Sequence, residues 1–251
     1  MRGFVFAKRT AKEILRDPLT FIFCLGFPLV MLVIMTIVNE SIPPEAGMQI
    51  FKMPYLAPGI VMFGFTFIML FACLQVSKDR ATAFLVRLYA SPMKSGDFIV
   101  GYTVPILVIA IAQSIITFVA ALVIGAIAGE TLVIGNVLLS IAVSIPTALM
   151  YLSFGLLFGT ILSDKAAPGI CSILISAASM LGGIWMDVDA LGGMLQKICH
   201  VLPFYQGVHV SRMAVLGEYA KIGKPFVITV IYAVVVYLLA VFALKKKMKV
   251  S

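Results

Sequence analysis

One segment of this chain combines charge, apolar side chains and a helix stop in a pattern that suits non-covalent docking. Residues 77–98 read SKDRATAFLVRLYASPMKSGDF and lie between two long uncharged stretches. Two arginines seven residues apart project together beside an apolar stripe with i, i+3, i+4 and i+7 spacing. Guanidinium groups bind carboxylates, and the stripe can enter an apolar groove. The residues that we expect to make these contacts are Asp79, Arg80, Phe84, Leu85, Arg87 and Leu88.

The same pattern predicts a short helix over residues 77–91. Ser77 can cap its first turn, and Asp79 suits the positive end of the helix dipole. Pro92 stops the helix, because the residue before a proline disfavours the α conformation. We therefore expect a rigid rod of about three turns, joined directly to the apolar segments on both sides.

The residue types associated with catalysis occur without a usable pattern. Asp187, Asp189, His200 and His209 share one polar segment, but their spacing matches no metal-binding motif and surface polarity explains them equally well. Residues 223–224 are Gly-Lys without the Ser/Thr and upstream glycine of a Walker A loop. We predict no catalytic, cofactor-binding or metal-binding residue in this chain.

The composition defines the elements that must position the docking segment. Hydrophobic residues make up 62% of the chain and charged residues 12%, whereas soluble domains carry about 25% charged residues. The sequence predicts an all-α polytopic membrane protein with a single domain. Its six predicted transmembrane helices are residues 18–38, 56–76, 99–124, 136–162, 166–185 and 225–244.

The distribution of charge orients these helices. With the N-terminus in the cytoplasm, 14 of the 19 Lys and Arg residues fall on the cytoplasmic side, which has a net charge of +9 against −1 outside. This is the positive-inside pattern, with anionic lipid as the counterion, and it gives no reason to expect nucleic acid. Both termini and residues 77–98 are therefore predicted to be cytoplasmic, and the location to be a plasma membrane, as in a bacterial cell.

Two further elements flank the predicted membrane helices. Residues 1–17 have apolar side chains at helical spacing and form an amphipathic interface helix, with a simple positive flank as the alternative. Its predicted surface contacts are Phe4, Lys8, Arg9, Lys12 and Arg16. On the outer side, residues 186–224 are too long for a turn and too polar to span, which indicates two short re-entrant helices.

Neutral polar side chains are the only polar groups inside the predicted membrane helices. Most are expected to form helix–helix hydrogen bonds, and Gln113, Ser172 and Ser176 are the candidates for a substrate path. Gly155 and Gly159 form a GxxxG pair, which predicts close packing either within the chain or with a second copy.

The chain resembles the type-2 permeases of ATP-binding-cassette (ABC) exporters. The resemblance lies in Asp79-Arg80, Phe84-Leu85, Arg87-Leu88 and Ala90-Ser91-Pro92, in the amphipathic N-terminus and in the outer segment before the last predicted span. It implies a permease subunit that pairs as a homodimer or a paralogous heterodimer and docks on separate ABC ATPase subunits. ATP and Mg²⁺ would then be bound by the ATPase, and the cytoplasmic helix would act as a coupling helix. The implied cargo is amphipathic or hydrophobic: a drug, a lipid-linked molecule or a peptide.

Two other classes remain open from the residues alone. A secondary transporter usually carries ionisable residues inside the membrane, which are lacking from the predicted spans. A polytopic membrane enzyme would have to use the polar outer segment. Co-purification with an ATPase, together with the absence of intrinsic catalysis, would distinguish a permease from both.

Overall fold

The computed structural model describes residues 2–43, 49–82 and 95–250, which form helices and connecting turns without a β-strand. The all-helical class is therefore confirmed. A 3-10 turn, Tyr219–Lys221, precedes the last helix. The helices are α1 (Arg2–Leu15), α2 (Pro18–Ser41), α3 (Met53–Ala81), α4 (Ser95–Ile127), α5 (Ile134–Ile161), α6 (Ala167–Leu181), α7 (Gly193–Val201), α8 (Pro203–Leu216) and α9 (Gly223–Val250).

Five of the described helices are long and apolar enough to cross a membrane, namely α2, α3, α4, α5 and α9. The fifth predicted span, residues 166–185, differs because its helix α6 has only 15 residues. A helix of that length reaches about 22 Å, short of a hydrocarbon core of about 30 Å. The helix ends early because Gly183 adopts a φ of 73°, a left-handed conformation that terminates α-helices.

The break between α1 and α2 follows from local capping. The Asp17 carboxylate accepts hydrogen bonds from the Leu19 backbone N–H at 3.2 Å and from the Thr20 hydroxyl at 2.8 Å. Pro18 occupies the first turn of α2, where its missing N–H costs nothing. Helix α2 therefore starts at Pro18, with Asp17 as its N-cap.

Helix α3 lies at the centre of the bundle, in contact with α2, α4, α5, α6 and α8. In the most apolar stretch of 18 residues in α3, 78% is buried. The corresponding stretches of α2 and α9 are only 22% and 28% buried. Its closest neighbour is α5, because Gly155 and Gly159 face it without side chains. A Cβ atom at Gly159 would lie 2.6 Å from the Cys73 carbonyl oxygen, and one at Gly155 would lie 2.4 Å from that of Met69. The GxxxG pair therefore packs within the chain.

Residues 186–224 contain two short helices, α7 and α8, as predicted, and α8 is largely buried. It packs against α3, α5 and α9. Gly207 permits this approach, since a Cβ atom there would lie 2.6 Å from the Thr147 side chain of α5. The hydroxyls of Ser140 and Ser211 add a hydrogen bond of 2.7 Å between α5 and α8.

Candidate coupling site

Helix α1 is packed tightly against the first turns of α4. The Phe6 ring fills the space above Gly101, where a Cβ atom would come within 1.9 Å of a ring carbon. The same ring contacts Phe98 and Tyr102 edge to face, at centroid distances of 5.6 and 5.0 Å. The Gly3 backbone N–H donates to the Asp97 carboxylate at 3.2 Å. These contacts make α1 a part of the folded bundle.

A buried carboxylate joins α1 to α3 and α4. Asp79, which is 3% exposed, accepts hydrogen bonds from both Arg9 Nη atoms, at 3.0 and 3.2 Å. Its Oδ2 also accepts a hydrogen bond of 2.7 Å from the Tyr102 hydroxyl. Arg9 forms a second ion pair with Glu13 at 2.8 Å. We call Arg9, Asp79 and Tyr102 the anchor, because they hold three helices at one point.

The electrostatics of the anchor keep its arginine charged. Burial by itself would lower the pKa of Arg9, but the hydrogen bonds and the negative charge of Asp79 outweigh burial and raise it. A bidentate guanidinium–carboxylate pair has fixed geometry as well as charge. The anchor therefore constrains the direction of α1 relative to α3.

Arg80 ties the same end of α3 to the end of α5. Its Nη1 donates to the carbonyl oxygens of Gly159 and Leu162, at 2.9 and 3.0 Å. The last carbonyls of a helix lack partners within that helix and carry partial negative charge, so a cation is well placed there. The Ser77 hydroxyl donates to Asp164 at 3.3 Å in the turn that follows α5.

The predicted helix over residues 77–91 does not begin at Ser77. Helix α3 runs without interruption to Ala81, and Asp79 and Arg80 lie in its last turn. Ser77 is not an N-cap, because it lies inside α3, which continues for four residues beyond it. A carboxylate near a helix C-terminus is unfavourable, and the Arg9 and Tyr102 contacts offset that cost for Asp79. The other predicted coupling residues lie outside the described residues: Phe84, Leu85, Arg87 and Leu88.

Helix α1 turns one stripe of side chains towards the bundle and leaves its other faces exposed. The chain covers Phe6, Ala7, Thr10 and Ile14, whereas Phe4 is 68% exposed. Burial of Thr10 is tolerated because its hydroxyl donates to the Phe6 carbonyl at 3.1 Å. Among the predicted surface contacts, Arg9 is half-buried in the anchor. The other four are exposed: Phe4, Lys8, Lys12 and Arg16.

The three residues of the predicted substrate path are not brought together. Gln113 is fully buried between α3 and α4. Its amide occupies the space that a side chain at Gly64 would fill, and its Nε2 donates to the Thr117 hydroxyl at 3.2 Å. Ser172 and Ser176 lie on the exposed side of α6, and each hydroxyl donates to the carbonyl four residues earlier.

A row of packed phenylalanines on α2 and α3 is a feature that the sequence analysis did not predict. Phe23 stacks on Phe67 at 5.9 Å, and Phe27 meets Phe67 edge to face at 5.5 Å. Phe63 continues this row and contacts Trp185, at a distance of 5.0 Å between the ring centroids. The signal was present as phenylalanines four residues apart on both helices, at 23 and 27 and at 63, 67 and 71. We call these five phenylalanines the aromatic ladder.

At the opposite end of the bundle, polar side chains gather around Asp189. Its carboxylate accepts hydrogen bonds of 2.9 Å from the Tyr205 hydroxyl and lies 3.0 Å from His200 Nε2. The Arg212 Nε donates to the Tyr55 carbonyl at 3.0 Å, and burial lowers the pKa of Arg212 to about 10 despite the nearby charge of Asp187. The described residues contain no group of three or more His, Cys, Asp or Glu side chains that could hold a metal ion.

The fold and the anchor together define a multi-pass helical membrane protein whose N-terminal helix is fixed to its membrane bundle. Residues 3–216, most of the 251-residue chain, match the family model of the ABC-2 type transporter. The chain therefore belongs to the ABC-2 type transporter family and is a membrane component of a transporter. A search of curated proteins finds no match.

Proposed function

We propose that this chain is the permease subunit of an ABC exporter and moves an amphipathic or hydrophobic cargo out of the cell. A separate ABC ATPase subunit hydrolyses the ATP. The observation that carries the proposal is the anchor, in which Arg9, Asp79 and Tyr102 join the basic N-terminal helix to the end of α3. A partner that pushes on this end of the protein would move the central helix directly.

The basic surface around the anchor supports an ATPase at this end. Lys8, Lys12 and Arg16 are exposed on α1, and the segment that follows α3 in the sequence carries the predicted contacts Phe84 and Arg87. In this proposal both segments dock on the ATPase at the cytoplasmic face of the plasma membrane, and both chain termini are cytoplasmic. Two permease chains, identical or paralogous, complete the membrane pathway.

The aromatic ladder supports the class of cargo. Phe23 and Phe27 remain more than a third exposed, although their neighbours on α3 are covered. Aromatic faces bind apolar and aromatic groups without requiring charge, which suits a lipophilic drug, a lipid-linked molecule or a hydrophobic peptide. The proposed pathway runs along the aromatic ladder. In this proposal α6, together with residues 182–185, crosses the membrane as well, which gives six crossings in total. Helices α7 and α8 enter from the outer side as re-entrant elements.

The decisive experiment reconstitutes the tagged chain with its candidate ABC ATPase and measures complex yield and cargo-stimulated ATP hydrolysis. A panel of lipophilic drugs, lipid-linked molecules and hydrophobic peptides identifies the cargo class. Arg87→Glu is expected to reduce complex yield or stimulation while membrane insertion stays normal. The matched control is Lys197→Glu, an equal charge reversal on α7 at the other end of the bundle. Normal yield, stimulation and export in Arg87→Glu would remove the proposed docking role of that loop.

A further inference from the structure

A pocket of about 400 Å³ lies between α2, α3 and α4, and Ile14 of α1 also contributes to its lining. Its apolar wall includes Phe71, Ile106 and Ile109. A volume of this size is within the range of small-molecule binding sites. The pocket has a polar mouth as well as an apolar wall, so it matches a molecule with one polar and one apolar end.

Five polar side chains, which we call the mouth of the pocket, line it: Asp17, Thr20, Gln75, Lys78 and Asp164. The Thr20 hydroxyl already donates to Asp17. Asp17 already accepts hydrogen bonds at the start of α2, and Asp164 accepts one from Ser77. Each carboxylate oxygen has two acceptor positions, so both groups retain capacity for a further donor. Their charges make the mouth an acceptor site for a cation.

The two remaining side chains are donors. The Gln75 Nε2 atom is buried and makes no hydrogen bond in the described structure. Lys78 is exposed and forms no ion pair with the described residues. A buried donor without a partner destabilises the folded state, and a bound acceptor group would relieve that cost. The mouth therefore offers donors for an anion beside acceptors for a cation.

We propose that this pocket binds one zwitterionic phospholipid with a primary ammonium headgroup. The phosphate accepts hydrogen bonds from Lys78 and Gln75, the ammonium donates to Asp17 and Asp164, and an acyl chain lies along the apolar wall. A purely anionic lipid fits less well, because two carboxylates and one ammonium give the mouth a net charge of −1. This site is independent of the ATPase and of the cargo proposed above.

The headgroup is selected by hydrogen bonding. A primary ammonium has three N–H donors for the two carboxylates. A choline headgroup has none and is usually bound by an aromatic cage, whereas Phe71 is the one aromatic side chain among the described residues that line this pocket. The pocket is therefore expected to prefer phosphatidylethanolamine over phosphatidylcholine as well as over phosphatidylglycerol.

The test measures lipid binding to the purified chain in detergent by native mass spectrometry. Phosphatidylethanolamine, phosphatidylcholine and phosphatidylglycerol with identical acyl chains are titrated separately. We expect a single tightly held phosphatidylethanolamine, with an affinity about tenfold above the other two lipids, as one or two charge-assisted hydrogen bonds predict. Equal affinities for the three lipids, or a preference for phosphatidylglycerol, would overturn the proposal without any variant.

Variants then locate the site. Lys78→Ala and Asp164→Asn are each expected to weaken phosphatidylethanolamine binding about tenfold, while Lys197→Ala, an exposed lysine on α7, leaves it unchanged. Ile109→Trp fills the apolar wall and is expected to remove the tightly held lipid. Thermal unfolding confirms that each variant is folded. Folded Lys78→Ala and Ile109→Trp proteins that bind the lipid as the wild type does would place it elsewhere and refute the assignment.

Discussion

The geometry of the anchor predicts that the loss of Arg9 destabilises the protein more than the loss of the Asp79 charge. Arg9→Met retains most of the aliphatic stem but leaves the Asp79 carboxylate, 3% exposed, with Tyr102 as its remaining donor. Removing one partner of a buried ion pair costs about 3–5 kcal/mol. The Arg9 side chain is 35% exposed, so water already screens the pair, and we expect the low end of that range, about 3 kcal/mol.

Asp79→Asn is expected to cost less. The amide oxygen can still accept the Tyr102 hydrogen bond, and the freed guanidinium can turn towards Glu13 and water. We therefore expect about 1 kcal/mol, the value of one ordinary hydrogen bond. The Arg9→Met/Asp79→Asn double variant contains no unpaired buried charge, so it should resemble Asp79→Asn more than the sum of both changes.

Thermal unfolding in a single detergent checks these values. A change of 1 kcal/mol shifts the melting temperature by about 2–4 °C in a chain of this size. Arg9→Met should therefore unfold about 6–12 °C below the wild type, and Asp79→Asn about 2–4 °C below it. Lys8→Met removes a neighbouring exposed cation and serves as the control, with an expected cost within about 0.5 kcal/mol. Equal single effects that add in the double variant would refute the buried-anchor reasoning.

Three other changes test the packing and the polar end of the bundle. Gly159→Ala should destabilise the protein by about 1–3 kcal/mol because its Cβ meets the α3 backbone, whereas Gly169→Ala, with open space around it, should not; equal melting temperatures would contradict the close contact. Gly101→Ala should displace α1 and expose it to limited proteolysis, and Phe6→Val in the same chain should restore protection; unchanged cleavage would contradict the predicted clash. Burial lowers the pKa of His209, so its folded form resists protonation and stability is lost as the pH falls below about 6.5; His209→Gln should flatten that loss, and an unchanged profile would assign it to other groups.

Local signals made several elements predictable from the sequence. Asp17-Pro18 marks the start of α2 because capping and proline geometry act within one turn. The Gly155/Gly159 pair marks a close helix contact because a missing side chain matters wherever the partner lies. Its partner, α3, was not specified by the sequence, since the same glycines would suit a contact between two copies.

Tertiary contacts and one backbone conformation explain where the structure differs from the sequence prediction. Asp79 reads as a first-turn residue, but it lies in the last turn of α3 because Arg9, 70 positions away, and Tyr102 compensate its charge. The fifth predicted span continues to Trp185 on hydropathy alone. In the structure the left-handed Gly183 ends α6 earlier, and the apolar residues after it pack in a turn. Single-residue backbone geometry outweighed apolar composition at that point.

Helix α3 connects the anchor to the aromatic ladder without a break. Asp79 lies eight residues beyond Phe71 and sixteen beyond Phe63, which are distances of about 12 and 24 Å along one helix. Pro58, the internal proline of α3, lies before Phe63, so the intervening helix keeps its full hydrogen-bonding pattern. A displacement imposed at the anchor must therefore either move the ladder or break the glycine contact with α5. Because that contact is tight, movement of α3 and α5 together is the less costly response.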